Sequence, residues 1–216
     1  MLAVIALAAA TTILPYDPPS TPIDNAVARV QLSAGAPGVV TKPHVHLTNR
    51  VMIYFEPGTN TIRFPDGKVS PEHFKAGDVQ WNDAMGTHTA EITARGPVDI
   101  VHVELKSPPN MAPAVPYSAR DALKLDPAHF RTEIANNQVR VLRLHLGKGE
   151  KTPLYESPFE RLLVPLTPAR LKITDARGAV KTVLYRQAEM QWLAPGTEGQ
   201  ENAGAPLDAI IVEFRK

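Results

Sequence analysis

The stretch FKAGDVQWNDAMGTHTAE (residues 74–91) has a counterpart later in the chain, YRQAEMQWLAPGTEGQE (residues 185–201). The dipeptide Gln80-Trp81 of the first matches Gln191-Trp192 of the second at an offset of 111. Further matches follow in the same order at offsets of 109 to 111: Gly38 with Gly149, Thr41 with Thr152, Arg50 with Arg161, Gly86 with Gly196, and VHVELK (101–106) with IIVEFR (210–215). A colinear series at a nearly constant offset indicates an internal duplication.

Both copies consist of short runs rich in β-branched and aromatic residues, such as RVMIYF (50–55) and RLLVPL (161–166). Turn residues separate these runs, and the chain has 21 prolines in 216 residues, which favours many turns between short strands. The sequence therefore predicts an all-β protein made of two tandem barrels or jelly rolls.

The matches place the first barrel at residues 25–106 and the second at residues 136–216. Residues 107–135 form the predicted linker, which opens with the proline-rich stretch SPPNMAPAVP. The following stretch, SARDALKLDP (118–127), begins with a serine that can cap a helix and ends with Asp-Pro. It predicts one short helix between the barrels.

Residues 1–24 precede the first barrel and contain the apolar run Leu2–Ala10. This run is too short to span a bilayer, which takes roughly 20 residues. Ala8-Ala9-Ala10 matches a small-residue cleavage site, although no Lys or Arg occurs before Arg29. We interpret residues 1–24 as a signal peptide with an extended segment, and we expect a periplasmic or secreted protein. If the run is not a signal, the expected location is cytoplasmic.

The overall charge and the absence of cysteine exclude several classes of function. Lys and Arg number 23 and Asp and Glu number 22, so the formal charge is only +1. No basic surplus favours nucleic-acid binding, and no segment is long and apolar enough for an integral membrane span. With no cysteine, disulfides, zinc ribbons and cysteine nucleophiles are excluded.

The first copy contains the stretch KPHVHLTN (42–49), which places two of the seven histidines two residues apart. On a strand, residues i and i+2 point to the same face, so His44 and His46 converge. His88 in GTHTAE can supply a third imidazole from another strand. Three imidazoles on one face predict a binding site for one divalent transition-metal ion.

The HxH pair, the AGDVQW run that contains Gly77, and a histidine eleven residues after that glycine resemble the two-part signature of the cupins. The chain is similar to a two-domain (bicupin) member of that superfamily over nearly all its length after residue 25. The resemblance implies two double-stranded β-helix barrels and a metal inside one end of a barrel, with His44, His46 and His88 as ligands. The glutamate that is usual in the family is absent, because Arg50 and Val51 stand at its positions. Glu91, Gln80 and Glu104 remain as further candidate ligands.

The second copy has Tyr155, Ser157 and Glu198 at the three histidine positions. The joint replacement of all three residues indicates that they act as one unit, which only the first copy retains. We therefore expect one ion per chain, iron, manganese or zinc, and a structural second barrel. Arg161 is present in the copy without ligands, which favours a structural role for its counterpart Arg50.

These residues support two main functional hypotheses. The first is a mononuclear metal enzyme, a dioxygenase or an isomerase, that acts on a small organic substrate. The alternative is a non-catalytic secreted cupin that binds a metal or a small ligand, and a structural bicupin with relic histidines is a third reading. No general base can be identified from the sequence, so catalytic activity is left open, as is a homodimer.

Overall fold

A computed structural model of the chain describes residues 20–109 and 115–215. Most of the predicted signal peptide lies outside the described residues. The first half contains nine strands: β1 (Ser20–Asp24), β2 (Ala28–Gly35), β3 (His44–His46), β4 (Arg50–Tyr54), β5 (Gly58–Arg63), β6 (Val69–Phe74), β7 (Val79–Asn82), β8 (Met85–Thr93) and β9 (Val98–Leu105).

A short helix, α1 (Ala122–Leu125), precedes the second set of strands. This set also numbers nine among the described residues: β10 (Phe130–Ala135), β11 (Val139–Leu146), β12 (Tyr155–Ser157), β13 (Arg161–Pro165), β14 (Ala169–Asp175), β15 (Val180–Tyr185), β16 (Gln191–Leu193), β17 (Gly196–Asn202) and β18 (Leu207–Phe214).

Each half folds into one large and one small antiparallel sheet. The first large sheet has the strand order β1-β2-β9-β4-β7, and the small sheet beside it has the order β3-β8-β5-β6. The second half repeats this arrangement as β10-β11-β18-β13-β16 and β12-β17-β14-β15. Every strand of the first half therefore has a counterpart in the second, as the internal duplication predicts. Two such sheets closing on one interior make a jelly-roll barrel.

The two barrels pack against each other through their large sheets. Alternate residues of a strand point to opposite faces, so Val51 and Ile53 of β4 enter the core between the sheets. The other large sheet contributes residues such as Leu162, Val164 and Val212 to this core. Each buried aliphatic side chain of this kind contributes about 1.5–3 kcal/mol. The tryptophans Trp81 and Trp192, which match each other in the two copies, pack at its border.

The interiors of the two barrels differ in composition. Among the described residues, the apolar cluster inside the second barrel has fourteen buried members, whereas the cluster inside the first has six. Met52 and Tyr54 of β4 belong to the smaller cluster, and Arg50, on the same face of that strand, lies next to it. The remaining interior of the first barrel is lined by polar side chains, and this is where the histidines lie.

The short helix between the barrels begins later than its sequence predicts. Its cap is Asp121 rather than Ser118, because the Asp121 carboxylate accepts the Leu123 N–H at 3.2 Å. Ser118 instead donates its hydroxyl to Glu156 at 2.9 Å. The strands β1 and β10 lie outside the barrel limits predicted from the repeat, and each adds an edge strand to its large sheet. No helix in the described part of the chain has the length and apolar character that crossing a membrane requires.

Candidate metal centre

The three histidines of the first copy lie on two neighbouring strands of the small sheet. His44 and His46 are the first and last residues of β3, and His44 pairs directly with His88 of β8. A register shift between His44 and His46 sets Met85, rather than the residue two positions before His88, opposite His46. Despite this irregularity, all three rings lie on the same side of the β3–β8 pair. His88 is buried, and the other two rings are half-buried.

The geometry brings the three imidazoles together as the HxH spacing predicts. One ring nitrogen from each residue lies within 4.8 Å of the others. The ring centroids are 5.0 Å apart for His44 and His46, 4.4 Å for His44 and His88, and 5.3 Å for His46 and His88. An ion held at about 2.0–2.1 Å from each nitrogen needs the nitrogens to be roughly 3.3 Å apart in a tetrahedral site. The nitrogens would therefore have to approach one another by up to about 1.5 Å to hold one ion.

A backbone carbonyl oxygen lies within hydrogen-bond distance of Nδ1 in two of the three rings. The Nδ1 of His44 lies 2.9 Å from the carbonyl oxygen of Lys42, and the Nδ1 of His88 lies 2.7 Å from that of Gly86. A carbonyl oxygen can only accept, so each Nδ1 must carry the proton. The lone pair is then on Nε2, which is the arrangement found in histidines that bind metals.

The third ring, that of His46, faces a carboxylate. Its Nδ1 lies 3.6 Å from Oε1 of Glu104 on β9. Contact with His46 is the largest cause that lowers the pKa of Glu104, although its partial burial opposes the effect. Glu104 therefore orients a candidate ligand rather than joining the cluster, and carboxylates often do this behind metal-bound histidines.

The other two candidate ligands are engaged elsewhere. Glu91 faces Arg63, with 3.5 Å between their nearest charged atoms. Gln80 donates its amide to the carbonyl oxygen of His73 at 2.8 Å. Among the described residues, the triad is the one group of three or more potential ligands that lie close enough to share an ion.

The electrostatics of the interior favour neutral imidazoles. Burial is the largest cause that lowers the pKa of His88; the neighbouring imidazoles and the Arg50 guanidinium act in the same direction, and the bond to Gly86 opposes them. His102 of β9 faces the same interior and shares a 2.7 Å hydrogen bond with the Ser33 hydroxyl. Burial lowers the pKa of His102 to about 3. Since only neutral imidazole binds a metal ion, the lowered pKa of His88 favours this residue as a ligand.

The equivalent place in the second barrel is filled by a closed hydrogen-bond network. Tyr155 pairs with Glu198 in the same register as His44 with His88, and its hydroxyl donates to the Glu198 carboxylate at 3.2 Å. Gln200 donates its amide to the same carboxylate at 2.9 Å. Ser157, the counterpart of His46, donates to Glu213 at 2.8 Å. Hydrogen bonds thus engage the residues at all three positions that are histidines in the first barrel.

The two equivalent arginines have different surroundings. Arg161 donates to the Glu198 carboxylate and to the carbonyl oxygen of Ala194, both at 3.0 Å. Arg50 is just as buried, but its Nε and Nη1 atoms have no hydrogen-bond partner among the described residues. The structural role that the sequence suggested for both therefore fits Arg161 and does not account for Arg50.

The chain is similar to several solved protein structures. No protein-family model and no curated protein matches the sequence. Solved structures do match: AerE from Microcystis aeruginosa is 12% identical with a TM-score of 0.66 over 92% of this chain and 97% of that chain. The cupin 2 conserved barrel domain protein from Leptotrichia buccalis is 16% identical, with a TM-score of 0.56 over 91% of this chain and 88% of its own.

The chain has the cupin fold. A third match is the HEPD of Streptomyces albus, solved with 2-hydroxyethylphosphonate and Fe(II), which is 10% identical with a TM-score of 0.63 over 91% of this chain and 70% of that one. At these identities the likeness concerns the fold, so the assignment of each cupin barrel rests on the strand order and the assignment of the site on the histidine geometry.

Some polar residues inside the first cupin barrel were not found from the sequence. Glu72 lies on β6, and the Asn82 amide donates to its carboxylate at 3.3 Å. Burial is the largest cause that raises the pKa of Glu72. Asn82 pairs with Arg50 in the register of β4 and β7. The only sequence signal for these residues is a polar residue at an inward position of a strand, which is visible once the register is known.

Proposed function

We propose that the chain is a mononuclear metal-binding bicupin. His44, His46 and His88 would bind one divalent transition-metal ion, iron, manganese or zinc, through their Nε2 atoms. The observation that carries the proposal is the convergence of one nitrogen from each ring within 4.8 Å, together with acceptors held against the Nδ1 atoms of the rings. The second barrel would bind no ion, because Tyr155 and Glu198 are already engaged with each other.

The reaction that fits this site is a dioxygenation or an isomerisation of a small organic substrate. An ion with three protein ligands keeps positions open for a substrate oxygen, which it polarises, and for O2 if the ion is iron. The role of the protein would be to fix the imidazoles and to enclose the substrate. HEPD, a protein of the same fold, was solved with Fe(II) and its substrate bound, which supports the first reaction class.

A proton-transfer group would have to come from the interior of the first barrel. Glu104 is committed to His46, and His102 stays neutral over the physiological pH range. Glu72 is the candidate, since partial burial raises the pKa of its carboxyl and a raised pKa favours a carboxyl that can donate a proton.

The alternative is a non-catalytic cupin that binds a metal or a small ligand. The observation that favours it is the engagement of the carboxylates near the triad: Glu104 with His46 and Glu91 with Arg63. Neither is free to act as a base on a bound molecule. Oxygen uptake and product analysis with the metal-loaded chain separate the two candidates, because a binding protein would return its ligand unchanged.

We also propose that the chain is exported, on the basis of the apolar run Leu2–Ala10 and the small residues at its end. Expression of the full chain in a bacterium, followed by fractionation and N-terminal sequencing, tests this. Cleavage after the alanine run and recovery from the periplasm are expected. An intact chain in the cytoplasm would contradict export and would leave the metal site unaffected.

The metal proposal is tested by titrating chelator-treated protein with Mn²⁺, and anaerobically with Fe²⁺. One equivalent should bind to the wild-type chain. His46→Ala should abolish this binding, and His73→Ala, at a histidine outside the triad, should leave it intact. Ser157→Ala removes the counterpart of His46 and should also leave the stoichiometry at one. Retention of the ion by His46→Ala would contradict the proposal.

A further inference from the structure

Arg50 is a buried cation without a partner in the described part of the chain. Its exposure is 4%, and its Nε and Nη1 atoms have no hydrogen-bond acceptor. Glu72 and Glu104 stabilise its charge through space, but no carboxylate lies within ion-pair distance of the guanidinium. Burying a charge in this way is unfavourable unless the charge is both paired and hydrogen-bonded.

The second barrel shows which group pairs with an arginine at this position. Arg50 pairs with Glu104 in the register of β4 and β9, and Arg161 pairs with Glu213 in the equivalent register. The two arginines therefore occupy equivalent positions in the large sheets of the two barrels. Arg161 reaches across the barrel and donates to the Glu198 carboxylate at 3.0 Å.

Glu198 occupies the strand position that His88 has in the first barrel. The first barrel thus has an imidazole where the second has a carboxylate, while both barrels have the arginine. An imidazole that donates its Nδ1–H and offers Nε2 to a metal has no acceptor left for a guanidinium. The residue at the His88 position therefore cannot pair with Arg50, which leaves the guanidinium open to a carboxylate from outside the chain.

We propose that Arg50 binds the carboxylate of a small organic acid inside the first barrel, beside the histidine triad. The inference rests on the proposed function, because it names the substrate class for the same site. The acid must be small, since Met52, Tyr54 and Phe74 fill the barrel beyond the arginine. Asn82 pairs with Arg50 on the neighbouring strand, and its Oδ1 atom also lacks a partner, so it can accept a hydrogen bond from a hydroxyl group that such an acid carries.

Calorimetric titration of the metal-loaded chain with acetate and malonate tests the proposal. Acetamide is the neutral probe, and inorganic phosphate tests a different anion. We expect saturable binding of a carboxylate and none of acetamide. Arg50→Met should weaken carboxylate binding by about ten- to a hundredfold, the effect of losing hydrogen bonds to a charged group. Arg50→Lys keeps the charge but not the planar pair of donors, so it should weaken binding less.

Arg63→Met is the matched control, because it removes one positive charge from the outer surface of the same barrel. It should bind carboxylates as the wild type does. Equal carboxylate affinity in Arg50→Met and the wild type, no carboxylate binding to the wild type, or binding of phosphate alone would each overturn the inference. If Arg50→Met does not fold, Arg50→Lys decides the question, and carboxylate binding by that variant with the affinity of the wild type would overturn the inference.

Metal content measured in the same samples keeps the two proposals apart. A chain that binds one ion but shows no Arg50-dependent carboxylate binding supports the metal site and refutes the carboxylate site. A chain that binds no ion refutes the metal site. Repeating the titration on metal-free protein then shows whether the Arg50-dependent binding remains, as the unpaired guanidinium requires.

Discussion

Replacing each of the two equivalent arginines with methionine should have opposite effects on the stability of the metal-free chain. Arg161→Met removes the ion-pair partner of Glu198, whose side chain is only 14% exposed. Removing one member of a buried pair costs about 3–5 kcal/mol, because the other charge stays buried. Tyr155 and Gln200 still donate to the Glu198 carboxylate, so we expect the lower end of that range.

Arg50→Met removes a buried charge that has no such partner. Two unpaired nitrogen atoms disappear with it, and each costs about 1 kcal/mol or more in the folded protein. Methionine is apolar and flexible, and it can pack against Met52 and the neighbouring apolar side chains. The variant should therefore be as stable as the wild type or more stable, which leaves a gap of about 3 kcal/mol between the two variants.

Urea unfolding at pH 7 measures this gap, in buffer with a chelator and without carboxylate anions. Tryptophan fluorescence reports on both halves, since Trp81 and Trp192 lie at the border of the shared core. A gap of 3 kcal/mol corresponds to about 6–12 °C in melting temperature for a chain of this size. If Arg50→Met is destabilised as much as Arg161→Met, Arg50 has a partner in the folded chain, and the carboxylate inference loses its basis.

Three other perturbations have definite expected outcomes. Arg140→Met should lower the free energy of unfolding in urea by about 3–5 kcal/mol, because it leaves Asp121 and Glu213 buried without their cation. Arg29 is the exposed counterpart of Arg140 in the first copy, and Arg29→Met should change stability by about 0.5 kcal/mol or less. Metal at a hundredfold excess over Kd should raise the free energy of unfolding of the wild type by about 2.7 kcal/mol, and chelator should reverse this gain. The triple histidine-to-alanine variant should respond to neither. Equal melting curves for the wild type with metal and with chelator would contradict the site. Burial lowers the pKa of His102 to about 3, so as the pH falls this imidazole is protonated in the unfolded chain before it is protonated in the folded one. The stability that the neutral imidazole allows is therefore complete above about pH 6.5 and is lost as the pH falls toward 3. Between pH 4 and 7 the free energy of unfolding should depend less on pH in His102→Gln than in the wild type, and an equal dependence would contradict the assignment.

The all-β fold and the histidine cluster could be predicted because both depend on local spacing. The colinear matches around Gln80-Trp81 and Gln191-Trp192 indicated two copies, and the strand orders of the two halves confirm this. Two residues separated by one on a strand share a face whatever the rest of the fold does. This is why His44 and His46 could be placed side by side without knowledge of the sheet.

The features that were missed depend on contacts across the sheets. Glu104 could be named as a candidate ligand but not as the partner of His46, because the two residues are 58 positions apart and only the packing of β9 against the small sheet brings them together. The different environments of Arg50 and Arg161 depend on which residue stands at the position of His88 or Glu198 on a third strand. The cap of α1 was misassigned because Ser118 and Asp121 are both good capping residues, and the choice between them is made by tertiary contacts.

The most direct test of the central claim is an anomalous difference map from crystals grown with Mn²⁺ or Fe²⁺ and measured near the absorption edge of the metal. The account predicts one peak per chain, within bonding distance of His44, His46 and His88, and no peak between Tyr155, Ser157 and Glu198. A peak at the second barrel, or no peak at the three histidines in a crystal that contains the metal, would contradict it.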